Sequence, residues 1–138
     1  MYDKELVLDI LKNIVWSLDQ INRRYQVIES SDDFIKDDVG LEKLDSICMQ
    51  LINIGEALKQ IDKLTEAKLL ANYPEIDWKK AKGMRDIITH HYFDIDSETV
   101  FVVCSEHIPK MRRVIKKILE DLEIESSSEI SLSKELVK

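Results

Sequence analysis

The fold class is clearest in LEKLDSICMQLINIGEAL, residues 41–58. Its apolar side chains recur three and four positions apart, which is the spacing of one helix face. This narrow seam consists of Leu41, Leu44, Cys48, Leu51, Gly55 and Leu58. A seam of this kind is typical of helices that pack against other helices. Gly55 costs about 1 kcal/mol relative to alanine inside a helix, so we expect a neighbouring backbone to approach closely there.

The same spacing recurs on both sides of this stretch and predicts further helices. The predicted helices cover about residues 3–28, 38–60, 65–72, 77–91 and 97–122. Thr65, Asp77 and Asp96 are the predicted N-caps of the last three. Pro109 lies inside the final helix and is expected to kink it or remove one hydrogen bond. The acidic segment 29–38 lacks periodicity and is predicted to be a loop.

The chain as a whole therefore reads as one all-α domain. We predict an up-and-down bundle of four to five helices over residues 1–122 and a flexible C-terminal tail over 123–138. The composition agrees, because 44% hydrophobic and 34% charged residues exclude a wholly disordered chain. Three glycines and two prolines are too few for a sandwich, a barrel or a glycine-rich phosphate loop.

Targeting and cysteine signals are weak. We find no apolar run of 18 residues and no secretory signal in the sequence, so no membrane association is expected. Cys48 and Cys104 are not spaced like a pair of metal ligands. His107 lies three residues after Cys104, but no further ligand is nearby, so buried free thiols and no metal site are expected. Free thiols are typical of a reducing compartment, so a cytoplasmic location is expected.

Charge is distributed unevenly along the chain. The net charge is −7, yet residues 78–117 carry nine basic and five acidic side chains. A locally basic stretch in an acidic protein predicts a localised anion site rather than a diffuse one.

The densest polar cluster lies in that stretch and reads GMRDIITHHY, residues 83–92. Arg85 can hold phosphate oxygens, and His90 can move a proton near neutral pH. Together they could cleave RNA without a metal, the imidazole taking the proton of the ribose 2′-OH and the guanidinium stabilising the charged phosphorane. Alternatively, His90 and His91 simply complement the helix end, and Arg85 with Asp86 forms an exposed ion pair.

The order and spacing Arg85-x-x-x-x-His90-x-Tyr92 resembles the signature of the HEPN superfamily, in particular of its HepT-like toxin ribonucleases. The block over residues 74–96 is similar to the motif region of that family. Residues 54–57, IGEA, are similar to its characteristic segment in the preceding helix.

The resemblance implies a metal-independent endoribonuclease that needs no cofactor and acts as a homodimer with its cleft at the interface. Arg85 would stabilise the phosphate, His90 would be the general base with His91 as its rival, and Asp86 would orient the site. Tyr92 would be modified with AMP by the partner, a minimal nucleotidyltransferase antitoxin, and the added negative charge would repel RNA. The chain would then be the toxin of a toxin–antitoxin pair.

Other residues have two readings each. Glu56 could hold Arg85 or be a solvated carboxylate, and Trp78 could stack a base or pack at a helix start. Three lysines could contact RNA or form an ordinary solvated face: Lys79, Lys80 and Lys82. A second basic patch is equally ambiguous: Arg112, Arg113, Lys116 and Lys117. For the whole chain, a non-catalytic helical module that binds a nucleotidyltransferase or a nucleotide is the alternative to a nuclease.

Overall fold

The computed structural model describes residues 2–137, with the side chains of residues 2–125, and in this part of the chain it contains helices and no strands. The helices are α1 (Lys4–Tyr25), α2 (Asp38–Thr65), α3 (Trp78–His90), α4 (Ser97–Val102) and α5 (Ile108–Val137). A single π-helical turn, Val103–His107, joins α4 to α5. The predicted all-α bundle is confirmed.

Helix α2 is the centre of the bundle, because it packs against both α1 and α3, while α1 also packs against α5. Its buried residues therefore extend beyond the predicted seam to Ile47, Ile54 and Ile61. Leu41 was wrongly placed in that seam, since 41% of it is exposed. The first turn of α2 instead buries Gly40 against the Asp33 carbonyl, where an added Cβ would lie 1.8 Å from the oxygen.

Two of the three predicted N-caps, Asp77 and Asp96, are confirmed. The side chain of Asp77 accepts a hydrogen bond from the Lys80 amide, and that of Asp96 accepts one from Glu98. The predicted cap at Thr65 is wrong. This residue is the last of α2, is buried, and donates its hydroxyl proton to the Ile61 carbonyl at 2.9 Å.

The helix predicted for residues 65–72 is also wrong. Glu66 and Ala67 adopt left-handed backbone angles, with φ of 54° and 59°, which end α2. Only a 3₁₀ turn, Leu70–Asn72, follows. Ile61 and Thr65 continue the buried face of α2, so core packing extends this helix into the segment where propensity favours a new one.

Two irregular segments carry structure that periodicity does not reveal. A 3₁₀ turn, Ser31–Phe34, lies within the predicted loop and inserts Phe34 fully into the core. The irregularity predicted near Pro109 takes the form of the π-helical turn, in which the Ile108 amide bonds to the Val103 carbonyl five residues back.

The last helix continues to Val137, beyond the predicted end near Leu122. The tail predicted for residues 123–138 falls almost wholly outside the described side chains and stays a prediction, as does the domain boundary before it. None of the helices in the described region has a stretch apolar and long enough to cross a bilayer.

Candidate functional site

The candidate site forms where α3 crosses α2 at Gly55. A Cβ added to this glycine would lie 2.9 Å from the Cβ of Arg85 and 3.3 Å from the Lys82 carbonyl oxygen. The close approach expected at Gly55 is confirmed. The missing side chain lets α3 settle against α2 with Arg85 at the contact point.

Charged side chains from both helices hold Arg85 in place. Its Nε lies 2.7 Å from Glu56 Oε1, and its Nη1 donates to Asp86 Oδ1 at 3.0 Å. The Nε contact is an ion pair without hydrogen-bond geometry, because the Nε–H has no directed acceptor among the described residues. The structure thus brings Glu56 and Asp86, both predicted as supporting residues, directly to Arg85.

A fourth charge, Lys59, completes this network from α2. Its Nζ lies 3.4 Å from Asp86 Oδ2. The hydrogen bond from Arg85, followed by the nearby charge of Lys59, holds the pKa of the Asp86 carboxyl below its usual range. Lys59 was not among the predicted site residues, although its position three residues after Glu56 places it on the same face of α2.

The network positions a cation without burying it. The side chain of Arg85 remains 35% exposed. The two cations and two carboxylates cancel formally, so an incoming phosphate would compete with Glu56 and Asp86 for guanidinium protons. Such an arrangement preorganises the guanidinium, and a phosphate that displaces a carboxylate could bind it through two parallel hydrogen bonds.

The other motif residues follow at the C-terminal end of the same helix. His90 is the last residue of α3, and the His91 amide closes the helix on the Ile87 carbonyl at 3.0 Å. Both histidines are exposed. Helix geometry separates Arg85 from His90 by about 7.5 Å along the axis and about 140° around it. Within the described structure, no hydrogen bond joins Arg85 to either histidine.

Tyr92 begins a 3₁₀ turn, Tyr92–Asp94, directly after the histidines. It is 40% exposed, and its ring lies 6.0 Å from that of Phe93 in an edge-to-face arrangement. A side chain in this position is open to chemistry from solvent.

The lysines that precede Arg85 differ from one another. Lys79 and Lys80 are exposed, whereas Lys82 is partly buried in an ion pair with Asp62. Lys79 and Lys80 are therefore the more available of the three for an RNA contact, and Lys82 has an internal partner.

Trp78 and part of the second basic patch are used within the fold. The Trp78 indole donates to the Tyr73 carbonyl at 2.9 Å, which confirms packing at the helix start. In the patch, Arg112 pairs with Asp19 at 2.7 Å, and Lys117 lies 5.9 Å from the centroid of the Tyr73 ring.

An open groove of about 670 Å³ lies between α1 and α2, next to the charge network. Glu56 and Lys59 line it, so it shares two residues with the network around Arg85. The remaining lining residues are Asn13, Ile14, Trp16, Ser17, Asn53, Ala57, Gln60 and Lys63. This groove could not be predicted from the sequence, because its two walls come from different helices.

No group of three or more His, Cys, Asp and Glu side chains in the described region is placed to hold a metal ion. Cys48 and Cys104 are buried and free. Burial raises the pKa of Cys48 to about 11 and that of Cys104 to about 12, so both predicted buried thiols are confirmed.

A family model described as ribonuclease HepT-like matches residues 14–118. A protein of Methanocaldococcus jannaschii, named as a candidate RNase, is 33% identical over 110 residues, covering 72% of this chain and 86% of that protein. A second candidate RNase of that archaeon is 28% identical over 127 residues, covering 92% and 95%. A Thermococcus cleftensis protein named as a probable ribonuclease HepT is 35% identical over 65 residues, covering 47% and 56%. No solved structure matches the chain.

Proposed function

Because the chain belongs to the HepT-like ribonuclease family, we propose that it is an endoribonuclease that cleaves RNA without a divalent ion. The observation that carries this proposal is the anchoring of Arg85 by Glu56 and Asp86 at the Gly55 contact, with an exposed His90 ending the same helix. A guanidinium and an imidazole are the two groups that this chemistry requires.

In the proposed reaction His90 takes the proton from a ribose 2′-OH, and the oxygen attacks the adjacent phosphorus. The bond to the 5′-oxygen of the next nucleotide breaks, leaving a 2′,3′-cyclic phosphate and a 5′-hydroxyl after that oxygen takes up a proton. Arg85 stabilises the negative charge that develops on the non-bridging oxygens. Glu56 and Asp86 keep the guanidinium oriented, and His91 is the rival base. Lys79, Lys80 and Lys82 are the candidate contacts to flanking phosphates.

The test is cleavage of RNA in EDTA by the wild type and by His90→Ala, His91→Ala and Arg85→Ala. We expect His90→Ala and Arg85→Ala to lose activity by about 10²-fold or more. The matched control is His107→Ala, since His107 is exposed on the π-helical turn outside the motif. A substrate with 2′-deoxyribose at the cleaved position should remain intact. Equal cleavage by wild type and His90→Ala protein would remove the catalytic claim for His90.

We further propose that this ribonuclease is the toxin of a toxin–antitoxin pair and acts in the cytoplasm. Its antitoxin is a minimal nucleotidyltransferase that attaches AMP to Tyr92. The exposure of Tyr92 beside the site helix supports this assignment. After co-expression with the enzyme encoded next to it, the wild-type chain should gain AMP-sized mass increments that Tyr92→Phe lacks. Tyr73→Phe is the control, because the Tyr73 hydroxyl is hydrogen-bonded to Asp121 at 2.6 Å.

The active form in this proposal is a homodimer. Large apolar side chains are exposed beside the motif residues, among them Ile87 and Phe93, and a second copy could cover them. Light scattering at micromolar concentration should give twice the chain mass, and a monomer would contradict this part.

The alternative is a non-catalytic helical module that binds the nucleotidyltransferase, with Tyr92 as the AMP acceptor and Arg85 as a ligand for nucleotide phosphates. The neutralised, clamped state of Arg85 would suit binding as well as catalysis. Modification of Tyr92 without any RNA cleavage in EDTA would favour this module.

A further inference from the structure

The groove between α1 and α2 is built on the side of α2 that adjoins the charge network. Glu56 contacts Arg85 and also lines the groove, and Lys59 contacts Asp86 and also lines it. The groove and the charge network around Arg85 are therefore contiguous on the surface of α2.

Trp16 is the most distinctive group in the groove. It lies on α1, yet it is 57% exposed, although tryptophan has a large apolar ring that would normally be packed. An exposed indole at the wall of an open groove is a stacking platform, and stacking of one nucleic acid base on an aromatic ring is worth roughly 1–3 kcal/mol.

The rest of the lining suits a nucleotide. Asn13, Asn53 and Gln60 present amide groups, which can both donate to and accept from the edges of a base. Lys63 supplies positive charge for a phosphate along the same wall. Lys59 is paired with Asp86, and its charge is offset by the Glu56 carboxylate in the lining. Half of the lining residues are lysines or amides, whereas the buried core of a protein–protein interface is depleted in lysine.

We propose that this groove is a binding subsite for an unpaired nucleotide of single-stranded RNA, next to the bond positioned at Arg85. The base stacks on Trp16, the amide side chains contact its edge, and Lys63 contacts a phosphate. The inference rests on the proposed function for the choice of RNA, and it adds the substrate class: an unpaired segment rather than a duplex.

The two tryptophans of the chain provide the experiment. Titration with a single-stranded RNA whose 2′-hydroxyls are all methylated, and which cannot be cleaved, is followed by indole fluorescence. Trp78→Phe leaves only Trp16 as the emitter, and its emission should be quenched. Trp16→Phe leaves only the packed Trp78, and its emission should stay unchanged. Equal quenching in both variants would overturn the proposal.

Affinity gives a second measurement. Trp16→Ala should weaken binding of the same RNA about 5- to 150-fold, and Lys63→Ala should weaken it in a salt-dependent way. The controls are Ile35→Ala, which removes an equally exposed apolar side chain outside the lining, and Lys68→Ala, which removes an exposed lysine paired with Glu66. Unchanged affinity in Trp16→Ala contradicts the subsite.

Two further outcomes separate this inference from its alternatives. If Trp16→Ala dissociates a dimer and leaves RNA affinity unchanged, the groove belongs to a second copy of the chain and the proposal is wrong. If methylated RNA binds through Trp16 while unmodified RNA stays intact in EDTA, the subsite stands and the nuclease proposal fails. If RNA cleavage depends on His90 while Trp16→Ala changes neither cleavage nor RNA affinity, the nuclease proposal stands and the subsite fails.

Discussion

Replacing Gly55 with alanine tests whether the close crossing of α2 and α3 positions Arg85. The new Cβ would lie 2.9 Å from Arg85 Cβ and 3.3 Å from the Lys82 carbonyl oxygen. Favourable carbon contacts lie at about 3.5–4.0 Å, so α3 must move away by roughly 0.5–1 Å. Overpacking of this kind costs about 1–3 kcal/mol, whereas alanine gains about 1 kcal/mol in helix propensity. The free energy of unfolding should therefore fall by about 0–2 kcal/mol.

The matched control is Gly83→Ala on α3. Apart from its chain neighbours and the backbone of its own helix, no atom lies within 4 Å of the Cβ that this substitution adds, so only the propensity gain of about 0.5–1 kcal/mol remains. The same chemical change should thus stabilise the protein at one position and fail to do so at the other. Urea unfolding monitored by circular dichroism measures both free energies.

The readout at the site is RNA cleavage in EDTA. A displacement near 1 Å of a catalytic group can reduce the rate by about 10²-fold, so Gly55→Ala should lose activity and Gly83→Ala should keep it. If Gly55→Ala stabilises the chain as much as Gly83→Ala does, α3 is not held at a sterically tight contact, and this comparison needs no assumption about activity.

Three more predictions concern the bundle that carries the site. Gly40→Ala places a Cβ 1.8 Å from the Asp33 carbonyl oxygen, so it should destabilise the chain by more than about 1–3 kcal/mol or prevent folding, as measured by thermal unfolding. Asp77→Ala removes the cap of the site helix and should cost about 0.5–2 kcal/mol in urea unfolding; a loss below that range would show that the cap contributes little. The folded pKa values of Cys48 and Cys104, about 11 and 12, lie above that of an unfolded thiol near 8.5. Each buried thiol therefore contributes fully to the free energy of unfolding below pH 8.5. This contribution is lost as the pH rises through the folded pKa, by about 2 kcal/mol per thiol at pH 10. Replacing Cys48 with alanine should flatten the pH dependence of the free energy of unfolding, and an unchanged slope would contradict the raised pKa of Cys48.

Features that depend on neighbouring residues were predictable from the sequence. Apolar spacing gave the positions of the long helices, and the caps at Asp77 and Asp96 followed from side chains that reach amides two or three residues away. The resemblance of residues 74–96 added the family, which the match over residues 14–118 confirms. The proposed roles of Arg85 and His90 remain predictions.

Features that depend on packing were not predictable. Thr65 has the chemistry of an N-cap, yet the buried face of α2 continues through it. Phe34 lies in an aperiodic acidic segment, and only the space between the helices brings it into the core. In both cases burial of apolar surface outweighs a local preference of a fraction of a kcal/mol to about 1 kcal/mol.

Local patterns are sufficient for the all-α class, for the family, and for a helix that carries Arg85 and ends at His90, because periodicity, capping and motif spacing act over a few neighbouring residues. The tertiary structure decided what surrounds the arginine. Glu56 and Lys59 reach Arg85 and Asp86 only because α3 crosses α2 at a glycine, and the groove beside them exists only because α1 lies along the same helix. Contacts between residues so distant in the chain depend on the register and separation of packed helices, which are set by the shape of the whole core.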